Sequence, residues 1–347
     1  MSLPRLSVIL PNYNHARYLQ NCLGALLEQS VQPLEIIIID DASSDNSVEL
    51  IEAFVRKHSL IRFFRNERNQ GVVAGMNRGL ELARGDYVYY AAADDQVLPG
   101  FFEKSLDLLG RHGQAALCCT IGDWWEIETG LRWQVGVGMT DAPAYLSPEQ
   151  MIELERRDKL FIASHTAIMR RSAIVEAGGF IPELKWHCDW FAIYVAAFRH
   201  GICVVPEPLA RFNIHAASYY KARDRQTHRQ VLQRILEFLA RPEYRDAAER
   251  IRDSGALFLF GWPILKLMLR LPAYRRFITP TFLRKNLWHG VKLELKKITP
   301  RFAAEWYFRL AGYKAPKSGA PTNGTQPPSD SPRHSRNQNP STTDHHG

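Results

Sequence analysis

At 347 residues the chain is long enough for one large domain or two smaller ones, each with its own core. Hydrophobic residues make up 46% and charged residues 23%, an ordinary balance for a globular protein. The formal net charge of +8 is uneven: residues 221–315 carry 21 Lys and Arg against 8 Asp and Glu, so the first 220 residues are slightly acidic. Two differently charged regions imply two different jobs. Five cysteines without C-x-x-C spacing argue against a disulfide framework or a thiolate zinc site, and fit a reducing compartment. The apolar run at 8–10 is too short for a signal peptide and ends at Pro11, so no leader is expected.

The first stretch alternates two periodicities. Residues 6–10 form a short apolar run, a buried strand. Tyr18, Leu19, Cys22, Leu23, Leu26 and Leu27 repeat at helical spacing across 16–29. The isoleucine run 35–39 predicts a second buried strand, and Ser43 to Asp45 offer caps for a helix reaching about residue 57. A third strand follows at 61–64, a helix at 73–83 and a fourth strand at 87–91. Pro99 opens another helix, and 115–119 predicts a further strand. This rhythm, with apolar rather than alternating strands, predicts an α/β fold with a mostly parallel sheet flanked by helices. Ligands of such sheets bind at the carboxyl ends of the strands. Three polar clusters fall there: Asn12-Tyr13-Asn14, Asp40-Asp41 and Asp94-Asp95.

Adjacent carboxylates on a turn repel one another, and a divalent cation is the usual reason to place them so. Mg²⁺ and Mn²⁺ prefer carboxylate oxygens and bridge to phosphates. The alternative for Asp94-Asp95 is an acidic cap on the helix that Pro99 opens. The run from Asp40 to Asp45 admits the same two readings, with Asp45 expected to cap. Asp41 can accept a hydrogen bond from a base N–H, and Tyr13 can offer its ring face to that base or simply pack.

Taken in order, Ser7-Val-Ile-Leu-Pro-Asn-Tyr-Asn14, Ile36-Ile-Ile-Ile-Asp-Asp-Ala-Ser-Ser-Asp45, Asn69-Gln-Gly71 with Asn77-Arg-Gly79, and Gly85-Asp-Tyr-Val through Asp94-Asp95 to Leu98-Pro-Gly100 form one spaced set. This set resembles family 2 glycosyltransferases with the GT-A, Rossmann-like fold, over about the first 110 residues. The resemblance implies that Asp41 reads the nucleotide base, with Pro11, Tyr13 and Asn14 around it. It implies that Asp94 contacts the ribose or the metal, that Asp95 ligates Mn²⁺ or Mg²⁺, and that Asn77 and Arg78 lie on the donor side. Two positions depart from the pattern. Ala92 stands where many relatives carry a further Asp, and Met76 where many carry an Arg, which leaves the diphosphate to another cation such as Arg78.

The segment Gly178-Gly-Phe180, Trp186-His-Cys-Asp189-Trp-Phe191, Gly201 and Pro206-Glu-Pro-Leu209 resembles the acceptor side of the same family. Its catalytic carboxylate falls on Asp189, expected to take the proton of the acceptor hydroxyl. Partial desolvation by Trp186, Trp190 and Phe191 would raise its pKa, and a helix cap is the plain alternative. Arg211 and His215 resemble the segment that closes over the donor diphosphate, with His215 a candidate metal or phosphate contact. His165 and His187 are weaker acceptor candidates. Trp124-Trp125 suit either a sugar face or the core.

After about residue 219 the character changes. A helix is expected over 226–239, and the apolar run 255–269 is shorter than a spanning helix. Residues 256–313 mix Leu, Phe and Trp with Lys and Arg, which suits a peripheral helical contact with an anionic membrane, a cap on the catalytic domain or a dimer contact. No nucleic-acid module is recognisable. Residues 316–347 have almost no apolar side chains and are expected to be disordered. The expected division is a GT-A domain over 1–219, a basic helical region over 220–315 and the tail.

The implied activity is inverting, metal-dependent transfer from a nucleotide-sugar donor, UDP-sugar favoured, to a hydroxyl of a glycan or lipid-linked saccharide in bacterial surface polysaccharide synthesis. The expected location is cytoplasmic, at the inner face of the plasma membrane. The rivals are transfer to a polyprenyl phosphate, which needs no strong base, a non-catalytic sugar-nucleotide-binding protein, and a basic scaffold.

Overall fold

The computed structural model describes residues 4–215 and 224–298, with side chains through residue 291, all within the compact unit Met1–Pro316. The expected disordered tail and the end of the basic region lie outside the described residues.

Strands β1 (Leu6–Asn12), β2 (Glu35–Asp40), β3 (Ile61–Arg65) and β4 (Tyr87–Tyr90) alternate with helices α1 (Ala16–Leu27), α2 (Ser47–Lys57) and α3 (Val72–Leu82). They pair in parallel in the order β3-β2-β1-β4, with Asn12 level with Asp40. Every residue of β2 is buried, as its isoleucine run requires of a strand covered on both faces. Ile36 and Ile38 join the core under α1, while Ile37 and Ile39 join the core under α3. Gly79 sets the closeness of α3 to β1: a Cβ there would meet Ile9 Cγ2 at 2.2 Å.

The chain continues through β5 (Gln96–Val97), α4 (Phe101–Arg111), β6 (Leu117–Glu126), β7 (Leu131–Val135), β8 (Ala144–Leu146), α5 (Pro148–Arg156), β9 (Ala167–Arg170), α6 (Arg171–Glu176), α7 (Cys188–His200) and β10 (Ile202–Ile214). The sheet extends past β4 in the order β9-β6-β10-β5 and becomes mixed. Strand β9 runs antiparallel to both β4 and β6, while β10 runs parallel to β6. Strand β10 also pairs with β5, setting Arg211 opposite Gln96.

Helices α8 (Arg225–Leu239), α9 (Arg245–Ser254), α10 (Gly261–Arg270) and α11 (Pro280–Ile298) complete the described chain. They form a layer outside α7, and this explains the composition of that helix. All residues from Phe191 to Phe198 are buried, so α7 is apolar on every side, as a helix packed between two layers must be. Phe191 meets Phe238 of α8 and Tyr244 edge-on, and Trp190 meets Phe260. Phe191, fully buried, contributes about 1.5–3 kcal/mol by transfer alone. Lys285 of α11 is fully buried, 2.7 Å from Glu155 Oε1 and 3.3 Å from Asp158 Oδ1, and lies over the Phe258 ring. This ion cluster fastens α11 to the end of α5. All five cysteines are free and buried, in keeping with the absence of a disulfide framework.

Candidate active site

The carboxyl ends of β1 to β4 carry the polar clusters. Asp40 organises the first: its Oδ1 accepts from Asn12 Nδ2 at 2.8 Å and Ser43 Oγ at 2.5 Å, and its Oδ2 from Ser43 N–H at 3.0 Å. Asn14 and Ala42 both hold positive φ (55° and 62°), a costly backbone region for non-glycine residues that clusters at functional sites. The Asn14 side chain explains its own tolerance, because its Oδ1 accepts the Ser44 and Asp45 N–H groups. Asp45 accepts from the N–H of Ala16 and of Ser47, so one carboxylate meets the first residue of α1 and of α2. The cap positions themselves are His15 and Asn46, so Asp45 serves both helices from outside them rather than as the expected cap.

Asp41 is buried and accepts three donors: Asn66 Nδ2 at 2.8 Å, Gln70 N–H at 2.8 Å and Gly71 N–H at 2.7 Å. A carboxylate has about four acceptor sites, so capacity for one further donor is left. Arg78 donates to Asn66 Oδ1 and lies over Phe64, which makes Asp41, Asn66 and Arg78 one chain. Tyr13 is among the exposed large side chains, free to present a ring face, and Pro11 packs on α3 where a Gly75 Cβ would lie 3.4 Å away. Asn77 is turned elsewhere. Its amide donates to the Phe180 carbonyl at 2.7 Å and accepts the Phe180 N–H at 3.0 Å, tying α3 to the loop after α6. Met76 packs on the hydrophobic core.

The second cluster joins distant segments. Asp95 is buried, and its Oδ1 accepts the Asn213 N–H at 3.1 Å. Asn213 Nδ2 donates to the Asp94 carbonyl at 2.7 Å. His215 Nε2 lies 2.8 Å from Asp94 Oδ2, and its ring stacks on Tyr18 at a centroid distance of 5.9 Å. Helix α4 is preceded by Gly100 in a left-handed conformation with no side-chain cap, so the reading of Asp94-Asp95 as its cap is excluded. Burial, and then the Asp94 charge beside it, push the Asp95 carboxyl well above the usual carboxylate range, with the Asn213 N–H opposing. Two carboxylates in one desolvated corner with so little donor support suit a cation.

The metal question turns on this donor set. Among the described residues no three His, Cys, Asp or Glu side chains converge to hold an ion unaided. Asp94 and Asp95 supply hard oxygen donors, which fit Mg²⁺ or Mn²⁺, ions that ordinarily take their remaining ligands from phosphates and water.

Arg211 is engaged by Asp123, with Nε 2.9 Å from Oδ2, and the Trp125 ring lies under both Arg211 and Arg132. Trp124 lies in an aromatic cluster with Trp133, Phe161, His165 and Phe212. Burial pushes the His165 imidazole down to about 3, so it is neutral there. Asp189 stands half-buried in the first turn of α7. His187, not Asp189, occupies the cap position, so the plain capping alternative does not describe it.

Sequence reasoning missed Asn213, Asn66 and Tyr18. Asn66 sits at the carboxyl end of a parallel strand, the signal that drew attention to Asp41. Asn213 and Tyr18 reach the site by long-range pairing and left no local pattern.

The comparisons agree with this architecture. The sequence model of Glycosyl transferase family 2 matches residues 7–178. MT1568, an uncharacterized protein of Mycobacterium tuberculosis, is 30% identical over 250 residues, covering 68% of this chain and 76% of its own. An uncharacterized glycosyltransferase of Haemophilus influenzae is 36% identical over 135 residues, 37% of this chain and 54% of its own. This chain therefore spans about half the length of that relative. Among solved structures, S. aureus TarS 1-349 in complex with UDP-GlcNAc superposes with a TM-score of 0.56 at 17% identity, covering 79% of this chain and 80% of that one. A GT-A sheet with paired acidic residues at its strand ends defines the class. The chain belongs to the family 2 glycosyltransferases.

Proposed function

We propose that this protein is an inverting, metal-dependent glycosyltransferase. It takes a nucleotide-sugar donor, with UDP-sugar favoured, and passes the sugar to a hydroxyl of a glycan or lipid-linked saccharide. The observation that carries the reading is the Asp94-Asp95 corner, held by Asn213 and His215 at the carboxyl end of the parallel strands. The choice of UDP is supported by the structural likeness to TarS, solved with UDP and with UDP-GlcNAc.

Asp41 receives the base, whose ring lies against Tyr13, with Pro11 and Asn14 shaping the floor. Arg78, at the end of the Asp41–Asn66 chain, is the cation that α3 offers the diphosphate. Asp94 and Asp95 would hold Mg²⁺ or Mn²⁺, which supplies Lewis-acid stabilisation of the leaving diphosphate. His215 orients Asp94 through its 2.8 Å contact, and Asn213 fixes Asp95. Asp189 takes the proton of the acceptor hydroxyl as its oxygen bonds to the anomeric carbon. The bond from that carbon to the diphosphate oxygen breaks, and the nucleoside diphosphate departs with the electron pair. Arg211, set by its 2.9 Å pair with Asp123, is the β10 cation offered to the donor diphosphate. The setting we propose is the cytoplasmic face of a bacterial plasma membrane, in surface polysaccharide synthesis. Among the described residues no helix is long and apolar enough to cross a membrane, and the contact we propose is a peripheral one.

The test is a calorimetric titration of UDP, GDP and dTDP, with and without Mn²⁺, on the wild type and Asp95→Ala. Metal-dependent binding of UDP that the substitution abolishes is the expected result. Binding of none of the three would sink the reading. For the base, retained turnover by Asp189→Asn would favour a phosphate acceptor over a hydroxyl.

A further inference from the structure

We infer that the outward faces of α10 and α11 form one rigid docking surface for the headgroup layer of an anionic bilayer. The inference deepens the membrane-side setting proposed above and rests on it.

The sequence supplies the first half of the argument. Residues 256–293 contain seven Lys and Arg and no Asp or Glu. Thirty-eight residues without a carboxylate are unusual in a chain with 36 of them, and the next question is where the cations point. Among those with described side chains Lys285 alone is buried, against Glu155 and Asp158. Lys266, Arg270, Arg275, Arg276 and Arg284 are exposed. Of these only Arg284 approaches a carboxylate among the described residues, at 3.8 Å from Asp158.

The apolar residues supply the second half. Helix α10 buries Ile264, Leu265, Leu267 and Met268 and turns Trp262 and Leu269 outward. Helix α11 turns out Leu283, Leu287 and Val291, spaced four apart on one stripe, with Trp288 beside them. These six are the majority of the ten large apolar side chains that stand exposed among the described residues. Leu287 is 61% exposed and Trp262 49%, a level that solvent alone does not reward. The two faces are continuous, because the Trp262 indole lies against α11 where a Gly290 Cβ would meet its Nε1 at 3.0 Å.

The occupant follows from the charge. Exposed indoles and leucines on the same two helices as exposed lysine and arginine match the interfacial layer of a bilayer, where lysine and arginine reach headgroup phosphates while their stems stay apolar. A second copy of the same face would set cation against cation, which disfavours self-association through it. The Lys285 cluster fixes α11 to α5, so the surface is presented by the catalytic body itself and needs no ordering on contact.

Flotation of the full chain with vesicles of phosphatidylcholine, or of phosphatidylcholine with phosphatidylglycerol, tests this. The wild type should float with the anionic vesicles and not the neutral ones, and should be released by salt. Leu287→Glu, and Lys266→Glu with Arg270→Glu, should each lower the bound fraction about tenfold or more, with melting temperature and UDP affinity unchanged. Equal binding to neutral vesicles, no binding at low salt, or retention by both variants would overturn the inference. So would a wild-type dimer that the variants convert to monomer. UDP titration of the same samples keeps the two proposals apart: anionic vesicle binding without UDP binding retains this surface and removes the donor site, and the reverse result does the opposite.

Discussion

His215 Nε2 lies 2.8 Å from Asp94 Oδ2, across 121 residues of chain, and Tyr18 stacks on the same imidazole. The acidic pair is thus shaped from β10 and α1 as much as from the turn that carries it.

His215→Ala should therefore reduce metal-dependent UDP affinity about 10- to 100-fold without abolishing it, the usual cost of losing the partner that orients a ligating carboxylate. Calorimetry at fixed Mn²⁺ reads this. A Tyr18→Leu variant should show a smaller loss in the same direction.

Asp95→Asn should separate stability from function. The buried carboxyl is pushed well above its usual range by desolvation first and by Asp94 second, so a neutral amide of equal size relieves both. The melting temperature without metal should stay level or rise, while UDP binding with Mn²⁺ is lost. A fall in melting temperature with binding retained would contradict the assignment.

Glu35 carries an acid-side contribution to stability. Burial alone would raise its carboxyl, yet hydrogen bonds from Ser7, Arg62 and the Arg84 N–H outweigh it and hold the pKa below the usual range. Because the folded value is depressed, the stabilisation is present above the unfolded carboxylate pKa and is lost as pH falls through the folded one. Glu35→Gln should cost about 1–3 kcal/mol at pH 7. The gap from wild type should close as both are melted at progressively lower pH.

Lys285→Ala should destabilise by about 3–5 kcal/mol, because Glu155 is left charged in a fully buried site. The double variant Lys285→Met with Glu155→Leu should recover most of this loss. Urea melts of the single and double variants give the comparison, and near-additive losses would argue against a coupled pair.

The parallel half of the sheet was legible because it is written locally: the isoleucine run of β2 and the apolar repeat of α1 appear within two residues of their observed bounds. The mixed half was not. Strand β9 enters between β4 and β6, and β10 meets β5, through pairings that no window of neighbouring residues records. The site divides the same way. Asp41, Asp94 and Asp95 stand at strand ends where the pattern placed them. The turning of Asn77 toward Phe180, and of Arg211 toward Asp123, depends on partners 103 and 88 residues away. The basic helices were visible as charge, but their packing as a layer over α7 was hidden until Phe191 to Phe198 proved buried all round.

Strand β10 also sets a limit on how this chain can be taken apart. The family match ends at residue 178, yet Asn213 and His215, which hold the acidic pair, arrive later on that strand. A segment cut at the family boundary keeps every signature of the nucleotide side and loses its clasp. On the proposed function, exchange of acceptor halves between relatives, in the laboratory or by recombination, must therefore carry the strand from 202 to 214 and His215 with the donor half, or leave the proposed donor site unfinished.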